Sequence, residues 1–334
     1  MRFGEAIDTA LSQAMADDPR IIVLGEDVHG LRPELYAHFG PERVLPTPIS
    51  EGAFVGAGVT AAMAGLRPVV ELIMVDFVGV AMDAVMNHMA KVAAFTGGRW
   101  RVPMVLRASC GGGLGDGGQH EQCLWGLLAG IPGLIVVVPS TPADAGGLMR
   151  SALASEDPVV ILEHKLLSDL WRESLGGDVR ETVTLDVPAA GAEGEVPLPI
   201  PAVPIGEAVR RRAGDEITLV SLAVGVHRAL EAAERLAERG IGCDVLDLRT
   251  VRPLDGATVL ESVERTGRLL VVDEDYEQFG LSGELAARAL EAGLTPRFGR
   301  VCVRETLPFA RDAEARALPN VARIEEAAAA LMAR

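Results

Sequence analysis

Three side chains, far apart in the chain, have types and settings that bear on chemistry: Glu51, Phe77 and His120. Glu51 follows the run Thr47-Pro48-Ile49-Ser50 and opens an uncharged, small-residue stretch from Gly52 to Gly65. A carboxylate beside such a stretch is costly to bury without a partner, and a cofactor ring is a suitable one. Phe77 follows Asp76 at an expected strand-to-helix corner. His120 closes the loop Gly111-Gly112-Gly113-Leu114-Gly115-Asp116-Gly117-Gly118-Gln119, whose glycine density lets backbone approach a ligand closely. Taken singly, each has an ordinary reading: a helix-start glutamate favoured by the dipole, a core phenylalanine, and a structural or exposed histidine.

The elements that must position them alternate along the chain. Ala6, Ile7, Ala10, Leu11, Ala14 and Met15 form one stripe at helical spacing, closed by Asp17-Asp18-Pro19. Short apolar strands are expected at 21–24, 68–72, 103–106, 134–138 and 159–162, with helices at about 51–64, 78–95, 121–129 and 142–154 between them. Such alternation indicates an α/β domain with a largely parallel sheet covered on both faces. The Pro-, Ala- and Gly-rich stretch 186–204 reads as a linker or an extended crossing segment. A second α/β pattern follows, with strands at 217–221, 243–248 and 269–273 and helices at about 225–239 and 255–265. The expected division is therefore 1–185, a linker at 186–204, and 205–334.

Composition excludes several classes. The 334 residues suffice for two sizeable cores, with 49% apolar and 23% charged residues. A net charge of -16 lacks the basic footprint of a nucleic-acid binder. The four cysteines, Cys110, Cys123, Cys243 and Cys302, form no C-x-x-C pair and suggest no disulfide framework. The start Met1-Arg2-Phe3-Gly4-Glu5 lacks an apolar signal segment, and no apolar run reaches the ~18 residues of a membrane span. A cytoplasmic protein with no membrane partner is expected.

The strings that carry the three residues resemble the beta subunit of the thiamine-diphosphate-dependent 2-oxo acid dehydrogenases, a family that includes the pyruvate, branched-chain and acetoin enzymes. The matching pieces are "VLGEDV", "TPISE", "AAMAGLRPVVE", "DFVGVAMDAVMN", "GGQHEQ", "IPGLIVVVPSTPADAGGL", "DPVVILEHK" and "DLRTVRPLD", in the family order from residue 23 to beyond 250. The resemblance implies a transketolase-like pyrimidine-binding domain with a smaller α/β C-terminal domain. It implies that Glu51 hydrogen-bonds N1′ of the cofactor's aminopyrimidine and promotes its imino tautomer, and that Phe77 packs against that ring. His120 would face the reacting carbons, as an imidazole able to carry protons near neutrality. Helix 51–64, with Gly52, Gly56 and Gly58, would pack closely against another subunit.

The same resemblance implies what this chain lacks. Enzymes of this class anchor the diphosphate through Mg²⁺, with a Gly-Asp-Gly motif followed about 25–30 residues later by Asn-Asn. Gly115-Asp116-Gly117 matches the first half, yet Val136–Gly147 contains no Asn, and the loop belongs beside His120. No metal site is expected on this chain. Mg²⁺ and the diphosphate half are expected on an alpha subunit, in an alpha2-beta2 heterotetramer that serves a lipoyl acyltransferase core. The activity implied is oxidative decarboxylation of a pyruvate-like 2-oxo acid, or acetoin cleavage. The alternatives are the pyrimidine-binding half of a split transketolase and a non-catalytic structural subunit.

Four features invite structural comparison. The loop between Asp27 and Thr47 differs from the longer loop usual in the family. Glu121 stands where the family often has Ser, placing a carboxylate beside His120 that would raise its pKa. Segment 186–204 is unusually long. The run Asp273-Glu274-Asp275 reads as a solvated strand end or a face for a basic docking module.

Overall fold

The computed structural model describes residues 1–176 and 185–333; the residues just before the expected division at 185 lie outside the described ones. Among the described residues, twelve strands form two sheets. The first contains β1 (Ile21–Glu26), β2 (Val44–Thr47), β3 (Arg67–Met74), β4 (Val105–Cys110), β5 (Ile135–Val137), β6 (Val159–His164) and, from far along the chain, β10 (Thr250–Arg252). Their order is β10-β5-β6-β4-β3-β1-β2, all parallel except β10 against β5. The second contains β7 (Val209–Arg212), β8 (Ile217–Ser221), β9 (Cys243–Asp247), β11 (Arg268–Tyr276) and β12 (Arg297–Val303). Its order is β12-β11-β8-β9-β7, with only β7 antiparallel.

β4 and β6 are buried along their whole length, as the apolar runs require of strands covered on both faces. One layer is the helix Phe3–Asp17, which buries Phe3, Ala6, Ile7, Ala10, Leu11 and Met15 against the helix Pro142–Ala154. On the opposite layer, the helix Glu51–Met63 buries Phe54, Val55, Val59 and Ala62. Gly58 lets it approach the sheet: a Cβ there would lie 2.5 Å from Val70 Cγ2. The outer face of this helix shows Gly52, Ala53, Ala57 and Thr60 to solvent.

Two expected helices change in detail. The helix expected over 78–95 is helical at Val78–Asp83, widens to a π-helical turn over Ala84–Met89, and ends in a short helix at Val92–Phe95. The helix expected at 121–129 is confined to Trp125–Ala129. Residues 121–124 are committed elsewhere: the Glu121 and Gln122 side chains are drawn into the fold, and Leu124 has φ +50°.

Segment 186–204 is a strap laid across the first domain rather than a free tether. Ile200 is buried and lies against Gly146, and Val203 lies against Gly147, so the glycine pair of the helix Pro142–Ala154 makes room for it. Val203 N–H donates to the Gly147 carbonyl at 3.1 Å, and the Met1 amino group donates to Gly194 O at 2.8 Å.

The "DLRTVRPLD" string joins the two sheets. Arg249 Nη1 donates to Asp144 at 2.9 Å, Arg211 bridges Asp144 and Asp247, and Ser140 donates to Asp247. Thr250–Arg252 then adds itself to the first sheet as β10. The altered loop after β1 forms two short helices, Val28–Leu31 and Pro33–Phe39. Arg32 from it is buried between Asp8 and Glu71, and Arg107 completes the network with Asp8, Glu71 and Glu163.

Candidate active site

Glu51, Phe77 and His120 all lie just beyond the carboxyl ends of parallel strands. Glu51 follows β2, Phe77 ends a single 3-10 turn after β3, and His120 closes the loop after β4. That edge is where open α/β sheets bind ligands.

The structure brings Phe77 and His120 together directly. Their rings meet edge to face, with centroids 5.9 Å apart and planes at 76°. His120 Nδ1 lies 3.2 Å from the Asp116 carbonyl, an acceptor, so Nδ1 carries the proton and Nε2 of the neutral ring keeps its lone pair. Lys165, wholly buried, donates its Nζ to the His120 carbonyl.

Glu51 opens its helix at the residue after Ser50 and is only 8% exposed. Its carboxylate makes no hydrogen bond or ion pair among the described residues. Every other buried Asp or Glu among them has a partner, from Glu71 with Arg32 and Arg107 to Asp169 with the Gly4 amide. Its helix packs against the segment that follows Phe77, where the Val80 carbonyl would lie 3.3 Å from a Cβ at position 52. Glu26, at the end of β1, is a like-charged neighbour. Burial first, then Asp27 and Glu51, push its carboxyl above the usual range.

The glycine loop is not open to a ligand as its composition suggested. Its glycines are filled from within the chain: a Cβ would strike His164 at Gly111, Leu166 at Gly113, Arg311 at Gly115, Phe309 at Gly117 and Thr306 at Gly118. Its amides are spent on protein oxygens. Gly112 donates to Glu274, Gly113 to Glu314, Leu114 and Gly117 to Glu121, and Gly118 to the Leu307 carbonyl. The Gly115 and Gly117 amides therefore do not face a phosphate. Among the described residues, no group of three or more His, Cys, Asp or Glu is placed to hold a metal ion.

Glu121 likewise does not stand beside His120 as a surface charge. Its side chain turns inward, and burial, followed by the neighbouring Glu314, pushes its carboxyl up to about 8. The acidic run is also corrected: Asp273, Glu274 and Asp275 are all buried. Asp273 accepts from Trp125 Nε1 at 2.9 Å and Asp275 from Gly126 N–H at 2.8 Å. Glu274 joins His164 Nε2 at 3.0 Å and Arg228 at 3.2 Å. These acids fasten the second sheet to the loops of the first, so they form neither a docking face nor a solvated end.

Sequence reasoning passed over Asp76, Gln122 and Tyr276. Asp76 Oδ1 accepts from Gln122 N–H at 3.2 Å and Gln122 Nε2 at 2.8 Å, and Tyr276 O–H donates to Gln122 Oε1 at 3.0 Å. This chain of bonds ties the Phe77 corner to the residues after His120. Asp76 and Gln122 each sit next to or near a singled-out residue, and that adjacency was the available signal. Tyr276 had none, being 154 positions from its partner.

Two mostly parallel sheets, with a candidate site at the strand ends of the first, are the architecture of a transketolase-like chain. Family models match as "Transketolase, pyrimidine binding domain" over residues 1–169 and "Transketolase, C-terminal domain" over 206–324. A solved structure titled split gene transketolase, inactive beta4 tetramer, superposes with a TM-score of 0.79 over 100% of this chain and 98% of that one, at 21% identity, and so supports the fold. The beta subunit of the acetoin:2,6-dichlorophenolindophenol oxidoreductase of Cupriavidus necator is 41% identical over 97% of this chain and 95% of its own length. The beta subunit of the 2-oxoisovalerate dehydrogenase of Bacillus subtilis is 39% identical over 86% and 83%. The pyruvate dehydrogenase E1 component subunit beta-1 of Arabidopsis thaliana is 36% identical over 96% and 86%.

The chain belongs to this family of dehydrogenase beta subunits. Among the described residues, no helix is long and apolar enough to cross a membrane.

Proposed function

We propose that this chain supplies the pyrimidine-binding half of a thiamine-diphosphate site, completed by an alpha subunit in an alpha2-beta2 heterotetramer that carries Mg²⁺ and the diphosphate. The assembly decarboxylates a pyruvate-like 2-oxo acid oxidatively, or cleaves acetoin, and passes the acyl group to a lipoyl acyltransferase. The observation that carries this reading is the buried Glu51 carboxylate, which alone among the described buried acids has no partner. A carboxylate left without a protein partner at the strand ends is free to share a proton with a ring nitrogen.

The cofactor, when bound, supplies a nucleophilic carbon and an electron sink for cleavage next to a carbonyl. The residues of this chain do the rest. Glu51 holds a proton at N1′ of the ring. Phe77 gives the ring an apolar wall, and its edge-to-face contact fixes the His120 ring. His120 keeps Nδ1 on the Asp116 carbonyl and presents Nε2 for proton exchange with the substrate. Lys165 and the Asp76–Gln122–Tyr276 bonds hold the backbone on either side.

The test is Glu51→Gln in the complex assembled with its alpha partner, assayed with pyruvate, branched 2-oxo acids and acetoin under an artificial oxidant. General acid–base contributions of this kind are worth ~10²- to 10⁴-fold, and kcat should fall by about that much while assembly is kept. Turnover equal to wild type would assign Glu51 a structural role and remove the basis of the reading.

A further inference from the structure

The glycine loop before His120 is closed on its inner side by two carboxylates from opposite halves of the chain. Glu121, wholly buried, accepts from the amides of Leu114 at 2.8 Å, Gly115 at 3.1 Å and Gly117 at 3.0 Å. Glu314, on the helix Arg311–Ala317, accepts from the amides of Gly113 at 2.8 Å and Gly115 at 3.2 Å. Both thus receive the Gly115 N–H, which brings the two carboxyl groups to the same spot. Successive glycine amides converging on one spot form an anion-binding concavity. Here the chain fills that concavity with its own acids.

We propose that Glu121 and Glu314 act as a proton-sharing clamp that positions the glycine loop, and through it the His120 ring, against the C-terminal segment 306–318. The ring is coupled to the clamp by short links: its Nδ1 rests on the Asp116 carbonyl, and its amide donates to the Gly117 carbonyl at 3.0 Å. Residues 306–318 lie on the same loop, with Thr306 at Gly118, Phe309 at Gly117 and Arg311 at Gly115. Glu121 and Glu314 are positioning residues, acting on His120 through the backbone.

Two carboxyl groups gathered on one amide resist double ionisation, so the clamp closes with Glu121 protonated beside an ionised Glu314. The other ionisable groups around it are Lys165, Asp116 and His120 on the loop side, Arg311 on the helix, and His164 with Glu274 beneath Gly111 and Gly112. Lys165 favours the ionised form of Glu121, but burial and Glu314 outweigh it and place the transition at about 8. Because this pKa is raised above that of the unfolded chain, the clamp is intact at low and neutral pH. It opens as pH rises through about 8.

The test is hydrogen exchange of the 111–120 backbone in the isolated full-length chain, between about pH 6.5 and about 9.5, with protection factors corrected for intrinsic exchange. Wild-type protection should fall by up to about tenfold per pH unit above the transition. Glu121→Gln, a neutral isostere that can still accept the amides and donate to Glu314, should keep the loop protected without the fall. Glu121→Ser, too short to reach, should be weakly protected at every pH. Glu314→Gln removes the neighbouring charge and should move the fall to lower pH. A flat wild-type profile, or the same fall in Glu121→Gln, would overturn the clamp. This readout needs neither cofactor nor substrate, so it fails independently of the function proposed above. In the assembled complex, which does rest on that function, kcat should fall above the same pH in wild type and less steeply in Glu121→Gln, with KM little changed.

Discussion

Glu274 offers the most quantitative check on how the second half of the chain holds the first. Its carboxylate accepts the Gly112 amide at 2.8 Å and faces His164 Nε2 at 3.0 Å and Arg228 Nη1 at 3.2 Å. Burial opposes its charge, but His164, Arg228 and the Gly112 amide prevail and hold the carboxyl down at about 2, against an ordinary 4.5. At about 1.4 kcal/mol per unit, that depression corresponds to ~3 kcal/mol of native-state stability. Breaking a buried pair by removing one partner costs a similar ~3–5 kcal/mol, so the two routes agree.

Glu274→Gln keeps the size and one acceptor but removes the charge that His164 and Arg228 face. It should lose ~3 kcal/mol near neutral pH. The sign follows from the lowered pKa: the contribution is complete above the unfolded value of about 4.5 and disappears as pH falls through about 2. The gap between wild type and Glu274→Gln should therefore be constant above about pH 5 and shrink below it. Urea unfolding followed by tryptophan fluorescence, repeated from neutral pH downward, measures this, since Trp125 is buried beside the same acidic run. A loss under about 1 kcal/mol, or a gap that does not change with pH, would refute the account.

Further outcomes follow from single sites. Asp273 is pushed up to about 7 by burial and then by Asp275, so its contribution is lost as pH rises through about 7, and Asp273→Asn should gain stability relative to wild type above that pH in the same urea assay. In the helix Glu51–Met63, Gly58→Leu should cost ~1–3 kcal/mol in thermal unfolding because its Cβ alone meets Val70, whereas Gly56→Ala has open space and should stabilise the isolated chain by ~0.5–1 kcal/mol. If that helix packs against a partner subunit, Gly56→Ala should also weaken assembly, measured by sedimentation.

Much of the fold was legible because apolar runs and helical stripes are local signals. The strands expected at 21–24, 159–162 and 217–221 all stand within β1, β6 and β8. What escaped were features fixed by distant partners. β10 leaves the second α/β pattern to extend the first sheet, and nothing within Thr250–Arg252 announces that. Asp273, Glu274 and Asp275 look like surface charges because most acids are exposed. Their burial depends on Trp125, Gly126, His164 and Arg228, residues 46 to 149 positions away. The glycine density of the loop points to close approach by a ligand, but what approaches it is the chain itself.

That correction sharpens the case for Glu51. The fold takes many of its acids inside and matches them: Glu71 and Glu163 with Arg107, Asp144 and Asp247 with Arg211, Glu274 with Arg228, Asp244 with Arg265, and Glu121 and Glu314 with loop amides. Each of these acids meets a cation or an amide, whereas Glu51 meets neither among the described residues. Glu51 is left unmatched at the strand ends, where its helix turns a small-residue face outward. The function proposed above supplies the partner that the chain itself does not give Glu51.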